Sequence, residues 1–287
     1  MPELPEVETV RIQLWQRLKG KTIEDAEILR PKSVRGDILF TEKVKGLTLK
    51  EIDRVGKLLI FSFKEKADVF LLVHLKMTGQ LFVTNNKGEI GAKGGHETPH
   101  DHVMPSRHTR VVIKFNKGTT LYFNDQRVFG YLQLTDSAGS FASRARFGPE
   151  PHADDFDFQY FWRGLQRSKQ NIKARLLDQT FIAGLGNIYV DESLFRAGIA
   201  PTRPAQSLTP TEAKKLAREA GKVLKEAIAA GGTTFQSFKD STGRKGNYTK
   251  KLKVFGRHGQ PCPKCGYSIL KIRVAGRGTH YCERCQK

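Results

Sequence analysis

The sequence predicts an α+β protein in which a β-rich first half precedes a helical region and a metal-binding C-terminal segment. Three observations predict this order. Short apolar runs separated by turn residues dominate the first half, helical periodicity with capping signals follows residue 151, and two Cys-x2-Cys pairs lie near the end. Many strands with short connections favour an antiparallel sandwich or barrel.

The first predicted element is an amphipathic helix over residues 3–19. Val7, Val10 and Leu14 recur near helical spacing, and Gly20 is a typical stop. β-like runs follow, with turn residues between them. They lie at residues 57–63, 69–75, 111–115, 119–123 and 131–134. Residues 84–106 are polar, with several Gly and His, and predict an inserted surface loop.

The pattern changes at residues 148–151, Gly-Pro-Glu-Pro, which predict a linker. Helices are then predicted at residues 170–180 and 188–197, the second closed by Gly198. Thr209 and Glu212 form a capping box with a proline at the first helical position. This box predicts the start of a long helix that ends at residues 231–232.

The charge balance indicates a polyanionic partner. The 287 residues include 49 Lys and Arg against 29 Asp and Glu, which gives a formal net charge of +20. Residues 241–287 hold 12 of the basic residues and one acid, Glu283, with tyrosines and a phenylalanine interleaved. Extended polyanions favour such a surface because each neutralised phosphate releases counterions. These observations predict nucleic-acid binding.

Several classes do not fit the sequence. The longest uninterrupted apolar run, residues 69–73, is far shorter than the roughly 20 residues that span a bilayer. The acidic N-terminus resembles neither a secretory signal nor an Arg-rich transit peptide. With 38% hydrophobic residues, the chain can build a core. We therefore expect a folded cytoplasmic protein with no membrane partner.

The four cysteines predict one structural zinc ion per chain. Cys262 and Cys265 form one pair, Cys282 and Cys285 the other, and 16 residues separate the pairs. This is the spacing of a two-knuckle zinc site, and it fits better than free thiols or two disulfides. Four thiolate ligands leave no open coordination position, so the zinc is expected to be structural. Between the knuckles, a basic hairpin is predicted with Arg277 at its tip.

The N-terminus offers an unusual nucleophile. Pro2 is small enough that the initiator methionine should be removed, which leaves a free secondary amine beside the carboxylate of Glu3. Such an amine can attack a sugar carbon and give a cationic iminium, an electron sink that favours elimination. Glu3 could transfer protons. On these two residues alone, a processed N-terminus at an ordinary helix start is the better explanation.

Four motifs distributed along the chain resemble one family. They are residues 2–9 (PELPEVET), 187–194 (NIYVDESL), 231–234 (GGTT) and 281–287 (YCERCQK). In order and in kind they resemble the bacterial formamidopyrimidine-DNA glycosylase family, which removes 8-oxoguanine and ring-opened purines from DNA. The resemblance implies an N-terminal antiparallel β-sandwich bearing the catalytic helix, a helix–two-turns–helix domain and a four-cysteine zinc finger. It implies domains at residues 1–136, 150–240 and 253–287, with DNA crossing between them.

The resemblance also implies roles for individual residues. Pro2 matches the Schiff-base nucleophile, Glu3 the acid that opens the sugar ring, Lys57 the β-hairpin lysine and Arg277 the finger arginine. The matched DNA-contacting residues are His74, Met77, His108, Arg127, Phe129, Lys169, Lys173, Asn187 and Tyr248. Residues 243–248 match a loop that closes over an oxidised purine. The activity implied is glycosylase with β,δ-elimination on damaged duplex DNA, by a monomer that needs no redox or nucleotide cofactor.

The sequence also departs from the family pattern. Val128 stands where many members have a second basic residue, and Lys76 where glycine is frequent. Two alternatives remain open. One is the related endonuclease VIII branch, which removes oxidised pyrimidines; Leu4 and the Arg127/Phe129 pair argue against it. The other is a non-catalytic zinc-ribbon protein that binds DNA without turnover.

Overall fold

The computed structural model describes residues 2–36, 39–94, 103–233 and 247–287, without the side chains of residues 91–94. The chain forms two compact units. Unit 1 comprises Met1–Ala145 with Ala230–Asn247, and unit 2 comprises Arg146–Ala229 with Tyr248–Lys287. The first division lies close to the linker predicted at residues 148–151.

Unit 1 combines short helices with two sheets. Its helices are α1 (Leu4–Leu18), α2 (Phe40–Val44) and α3 (Ser137–Arg144). Its strands are β1 (Ile23–Ile28), β2 (Val34–Arg35), β3 (Leu49–Val55), β4 (Leu58–Phe63), β5 (Phe70–His74), β6 (Gly79–Thr84), β7 (Ile90–Gly94), β8 (Thr109–Phe115), β9 (Thr119–Asp125) and β10 (Tyr131–Thr135).

The strands form two five-stranded sheets, as expected for the predicted sandwich. One has the order β1-β8-β9-β6-β7 and the other β2-β10-β5-β4-β3. Neighbouring strands are antiparallel except β2 and β10, which pair in parallel. Apolar residues of both sheets and of α1 share one core, which includes Val10, Leu14, Leu59, Val73 and Phe123. The apolar side chains predicted to define α1 therefore face that core.

One part of unit 1 differs from the prediction. Residues 84–106 were expected to form a surface loop, but β7 lies within them and pairs antiparallel with β6. The surface-loop prediction is wrong for this stretch, because backbone hydrogen bonding to a buried strand selects β structure in spite of its glycines. The rest of the predicted loop, residues 95–102, lies outside the described residues.

Unit 2 consists of helices and one hairpin. The elements are α4 (Phe158–Gln166), α5 (Ile172–Leu177), α6 (Asn187–Ala197), α7 (Pro210–Ala229), β11 (Leu270–Val274) and β12 (Arg277–Tyr281). The capping box of α7 is present, since Thr209 N donates to Glu212 Oε2 at 2.8 Å and Glu212 N donates to Thr209 Oγ1 at 3.3 Å. Gly198 ends α6 in the left-handed conformation, with φ of 81°.

The three predicted domains stay a prediction beside these two units. Unit 2 contains both the helices and the zinc-finger segment, and Phe195 of α6 shares a small core with Val254, Ile269, Cys262 and Cys282. The described residues 230–233 and Asn247 belong to unit 1. In the part of the chain that the structure describes, no helix is long and apolar enough to cross a membrane.

Candidate active site and metal centre

The N-terminus of α1 forms a buried polar corner of unit 1. Pro2 is buried, and Glu3 is 3% exposed. Glu6, one turn into the helix, accepts hydrogen bonds from Glu3 N at 2.9 Å and from Thr233 N at 2.7 Å. Gly232 has a φ of 83°, which favours glycine, and a Cβ there would also lie 2.9 Å from Glu6 Oε1. Glu6 therefore fixes the start of α1 against the GGTT motif.

Lys57 lies in the tight turn between β3 and β4. Gly56 supplies the positive φ of 55° that this turn requires, and Lys57 is 5% exposed. Arg54 donates to Gly56 O at 2.9 Å and to Glu8 Oε2 of α1 at 2.9 Å. The turn that carries Lys57 is thereby braced against the helix that carries Glu3.

His74, at the end of β5, is held as a neutral imidazole. Its neighbour in the sheet is Leu58, next to Lys57. Burial is the largest cause that lowers the pKa of His74 from 6.5 to about 3, and the nearby positive charges of Lys76, Lys57 and Arg35 contribute the rest. Lys76 N donates to His74 Nδ1 at 3.0 Å, which leaves the proton on Nε2. His74 can therefore offer an N–H donor without a charge.

We expect His74 to stay neutral across the physiological pH range. NMR of the imidazole, assigned with a His74→Gln variant, should show no titration between pH 5 and 8. Because the folded pKa lies below the unfolded one, the unfolded state binds the proton first. His74 should therefore lower stability as pH falls from 6.5 to about 3. A resonance that titrates near pH 6.5 would contradict this assignment.

Met77, Arg127 and Phe129 lie on two adjacent loops of unit 1. Met77 is half-buried between β5 and β6, whereas Arg127 and Phe129 are exposed between β9 and β10. Phe129 is 49% exposed, and the Arg127 guanidinium lies 4.6 Å from the centre of its ring. An exposed aromatic ring beside a guanidinium suits stacking on bases.

Two further predicted DNA contacts are placed at the surface in different units. His108 is half-buried just before β8, and its Nε2 accepts from Arg107 Nε at 3.1 Å. Lys169 is exposed between α4 and α5 of unit 2. Both positions leave room for a phosphate contact.

The four cysteines meet as a metal centre. Their sulfur atoms all lie within 4.8 Å of one another, with Cys262 and Cys285 3.8 Å apart and Cys265 and Cys282 3.6 Å apart. A tetrahedral zinc with zinc–sulfur bonds of about 2.3 Å places its ligands about 3.8 Å apart. The observed spacing fits one zinc ion held by four thiolates, as predicted.

The hairpin between the knuckles presents Arg277. Ala275 and Gly276 form its two-residue turn with φ of 50° and 72°, so Arg277 is the first residue of β12 and is exposed. Asn187, the first residue of α6, donates its side-chain amide to Gly278 O at 2.9 Å. The predicted contact residue Asn187 thus also ties α6 to the residue beside Arg277.

Lys173 is a buried ion-pair residue. Its side chain is 0% exposed, and its Nζ donates to Asp191 Oδ1 at 2.7 Å. The other carboxylate oxygen of Asp191 accepts from His280 N at 2.8 Å, on β12. Inside unit 2, Lys173 pairs with Asp191, which in turn bonds to the hairpin. The DNA contact that the resemblance implies for Lys173 stays a prediction.

Breaking this buried pair should destabilise unit 2. Lys173→Met leaves the Asp191 carboxylate buried without its cation, at a cost of about 3–5 kcal/mol in the free energy of unfolding. Lys225→Met is the matched control, because the Lys225–Asp154 pair is exposed to solvent and should contribute little to stability. Urea unfolding measures both. Equal losses in the two variants would contradict the assignment.

Tyr248, a predicted DNA contact, lies inside unit 2. Its side chain is 0% exposed, and its hydroxyl accepts from Arg196 Nη2 at 3.0 Å and lies 3.5 Å from Glu226 Oε2. Burial raises the pKa of this hydroxyl well above its usual value, so it stays protonated. Tyr248 thus anchors the end of the predicted lesion loop, and its DNA contact stays a prediction. Residues 243–246 of that loop lie outside the described residues.

Sequence reasoning missed two residues of the site. Glu6 stands three residues after Glu3, the position of a capping-box acid, and this signal was available. Asp191 lies within the NIYVDESL motif, but its partners Lys173 and His280 are 18 and 89 residues away. Spacing along the chain gives no sign of such partners.

Two packed sheets with a buried corner at Pro2 and Glu3, and a helical unit that holds a basic four-cysteine finger, are the arrangement expected of a DNA-repair glycosylase. Family models agree: the formamidopyrimidine-DNA glycosylase N-terminal domain matches residues 1–132, its H2TH domain residues 147–239, and the zinc finger found in FPG and IleRS residues 259–287. The chain belongs to the formamidopyrimidine-DNA glycosylase family. The resemblance and the fold class predicted from the sequence are confirmed.

Relatives cover the whole chain. Formamidopyrimidine-DNA glycosylases of Desulfitobacterium hafniense and Heliobacterium modesticaldum are 43% and 42% identical, each over 100% of both chains. Solved structures of Lactococcus lactis Fpg include complexes with abasic-site DNA and with DNA that contains N7-benzyl-Fapy-dG. These two are 35% identical to this chain, with TM-scores of 0.87 and 0.85, and each match covers 100% of both chains.

Proposed function

We infer that this protein is a base-excision-repair enzyme that removes oxidised purines from duplex DNA and then cleaves the resulting abasic strand. The observation that supports this most strongly is the corner at Pro2 and Glu3, which Glu6 and Arg54 fix inside a family-typical fold. The net charge of +20 supplies the attraction to a polyanion. A non-catalytic DNA-binding protein has no need of this buried corner.

In the proposed chemistry, removal of Met1 frees the Pro2 nitrogen. This nitrogen attacks the anomeric carbon of the damaged nucleotide, the bond to the base breaks, and the base leaves with the bonding electrons. Glu3 protonates the sugar-ring oxygen, so that the ring opens to a cationic iminium. The iminium accepts the electrons of the adjacent C–H bond when its proton is lost, and the 3′ phosphate is then eliminated.

Three further residues assist these steps. Lys57 precedes Leu58, the residue that pairs with His74, and it supplies a positive charge, or a proton, during elimination. The uncharged Nε2–H of His74 donates to a phosphate. Arg277 grips phosphates and assists the second elimination. The zinc ion, when bound to the four cysteines, supplies no reactive position and stabilises the hairpin that presents Arg277.

The damaged nucleotide must leave the helix before Pro2 can reach it, which costs a few kcal/mol. We propose that Met77, Arg127 and Phe129 fill the space it vacates. Arg127 would contact the orphaned cytosine, and Phe129 would wedge between neighbouring bases. The enzyme is proposed to act as a monomer in the cytoplasm, where its DNA substrate lies.

Duplex cleavage assays test this function. We expect higher kcat/KM for 8-oxoguanine or formamidopyrimidine opposite cytosine than for oxidised pyrimidines such as thymine glycol. The cleaved strand should carry phosphates at both ends of a one-nucleotide gap. Preference for oxidised pyrimidines would favour the endonuclease VIII alternative. Lesion binding without cleavage, in protein shown to lack Met1, would overturn the catalytic proposal.

A further inference from the structure

The two loops that bear Met77, Arg127 and Phe129 start from neighbouring strand ends. Gly79 of β6 pairs directly with Asp125 of β9. The first loop precedes Gly79, and the second follows Asp125. The strand pairing therefore places Thr78 beside the start of the second loop.

A buried carboxylate connects the loops. Asp125 is 0% exposed. Its Oδ1 accepts hydrogen bonds from the Thr78 hydroxyl and from Arg127 N, the latter at 3.2 Å, and its Oδ2 accepts from Gly130 N at 2.6 Å. Thr78 Oγ1 lies 3.0 Å from Arg127 N, which also donates to it. One side chain from each loop thus closes a ring of hydrogen bonds around the backbone of residues 127–130.

The backbone that these bonds hold is strained. Val128 has a φ of 55°, between Arg127 and Phe129, and Lys76 has a φ of 51°, just before Met77. A left-handed conformation is a steric outlier for a β-branched residue, so the surroundings must impose it at Val128. The end of the second loop is closely packed as well, since a Cβ at Gly130 would lie 2.9 Å from Phe123 Cζ and 3.0 Å from His74 O.

We propose that Thr78 and Asp125 form a clamp that fixes Met77, Arg127 and Phe129 in one arrangement before DNA binds. Both are positioning residues that act through the inserting side chains, and the proposal rests on the proposed function. The clamp matters because binding energy that would otherwise order the loops becomes available to drive base extrusion. The strained φ at Val128 persists in the free protein only while these hydrogen bonds hold it.

Thr78→Val and Thr78→Ser form a matched pair of variants. Valine keeps the shape of the side chain but lacks the hydroxyl, whereas serine keeps the hydroxyl and lacks the methyl group. We expect Thr78→Val to lower kcat for 8-oxoguanine excision at least about tenfold, because the lost hydroxyl bonds to both the buried Asp125 carboxyl group and Arg127 N. Thr78→Ser should stay within about threefold of the original protein.

Two readouts separate positioning from a general structural loss. A fluorescent 2-aminopurine beside a tetrahydrofuran abasic analogue reports insertion into the base stack. The rate of its fluorescence change should fall in Thr78→Val and stay unchanged in Thr78→Ser. Single-stranded DNA with a preformed abasic site has no orphaned base, so its cleavage needs no insertion into a base stack. The rate of this cleavage should therefore differ by less than about twofold between the two variants.

Amide hydrogen exchange of the free protein tests the clamp without any activity. Thr78→Val should speed exchange of Arg127 and Gly130, and Thr78→Ser should not. If the original protein cleaves no lesion, the proposed function is wrong. The amide exchange rates of the two variants then still show whether the clamp exists. Unchanged exchange and unchanged excision in Thr78→Val would overturn the clamp, as would equal losses on lesion and single-stranded substrates.

Discussion

Glu3→Gln is expected to abolish base excision while leaving a protein that still binds lesion DNA. The substitution keeps the size of the side chain and removes the proton that the sugar-ring oxygen needs. Positioned acids of this kind contribute about 10²- to 10⁴-fold to rate, so single-turnover excision of 8-oxoguanine should fall by that amount. Cleavage of a preformed abasic site should fall much less, because its sugar already opens to an aldehyde.

Glu24→Gln is the matched control in unit 1. Glu24 is exposed on β1, at the edge of its sheet, and has no part in the corner at Pro2 and Glu3. Its neutralisation should change excision by less than about threefold. Equal effects of the two substitutions, or full excision by Glu3→Gln, would show that Glu3 is not the acid.

Loss of a zinc ligand is the second large effect we expect. Structural zinc sites in finger peptides contribute about 10–16 kcal/mol of binding energy that is coupled to folding. Cys265→Ser should therefore release the metal and unfold the hairpin that presents Arg277. Lesion-DNA affinity at fixed salt should fall at least about tenfold as phosphate contacts are lost. Metal content and fluorescence anisotropy measure the two effects.

Ser268→Ala is the matched control, because Ser268 is exposed between the knuckles. It should keep one zinc ion per chain and full affinity. Unit 1 has its own core of α1 and both sheets, so the cysteine variant should retain a cooperative unfolding transition. Full zinc content and unchanged affinity in Cys265→Ser would contradict a four-thiolate structural site.

The sequence predicted elements best where local signals agree with tertiary packing. The capping box of α7, the stop of α6 at Gly198 and the hairpin at Gly276 are local devices, and all are present. Helix α4 escaped prediction because it contains Gly164. A Cβ there would lie 2.2 Å from the Phe181 ring, so the helix tolerates a poor helix former in order to pack closely.

Strand β1 escaped prediction for a related reason. It carries Glu24, Asp25 and Glu27, and its burial does not follow the alternation expected of a half-buried strand. It lies at the edge of its sheet, where pairing with β8 on one side suffices. The helix predicted at residues 170–180 is shorter in the structure and spans Ile172–Leu177. It ends there because Asp178 has an extended backbone, and its Oδ1 accepts a hydrogen bond from Thr180 N at 2.9 Å.

The candidate site also contains residues that local sequence signals reveal and residues that they do not. The four cysteines follow from spacing alone, because a metal with known geometry imposes it. The resemblance implied DNA contacts for Lys173 and Tyr248, and the structure adds buried partners for them in unit 2, Asp191 and Arg196. A basic or phenolic side chain looks the same in a sequence whether water, DNA or a buried carboxylate faces it. The role of such a side chain depends on the group that it contacts, and that group comes from a distant part of the chain.

Borohydride trapping tests the central claim most directly. The protein is incubated with a duplex that carries 8-oxoguanine opposite cytosine, reduced, digested and mapped by mass spectrometry. We predict a covalent DNA adduct on the Pro2 nitrogen of chains that lack Met1. An adduct on a lysine, or no adduct from Met1-free protein that binds and cleaves the lesion, would contradict the Schiff-base mechanism.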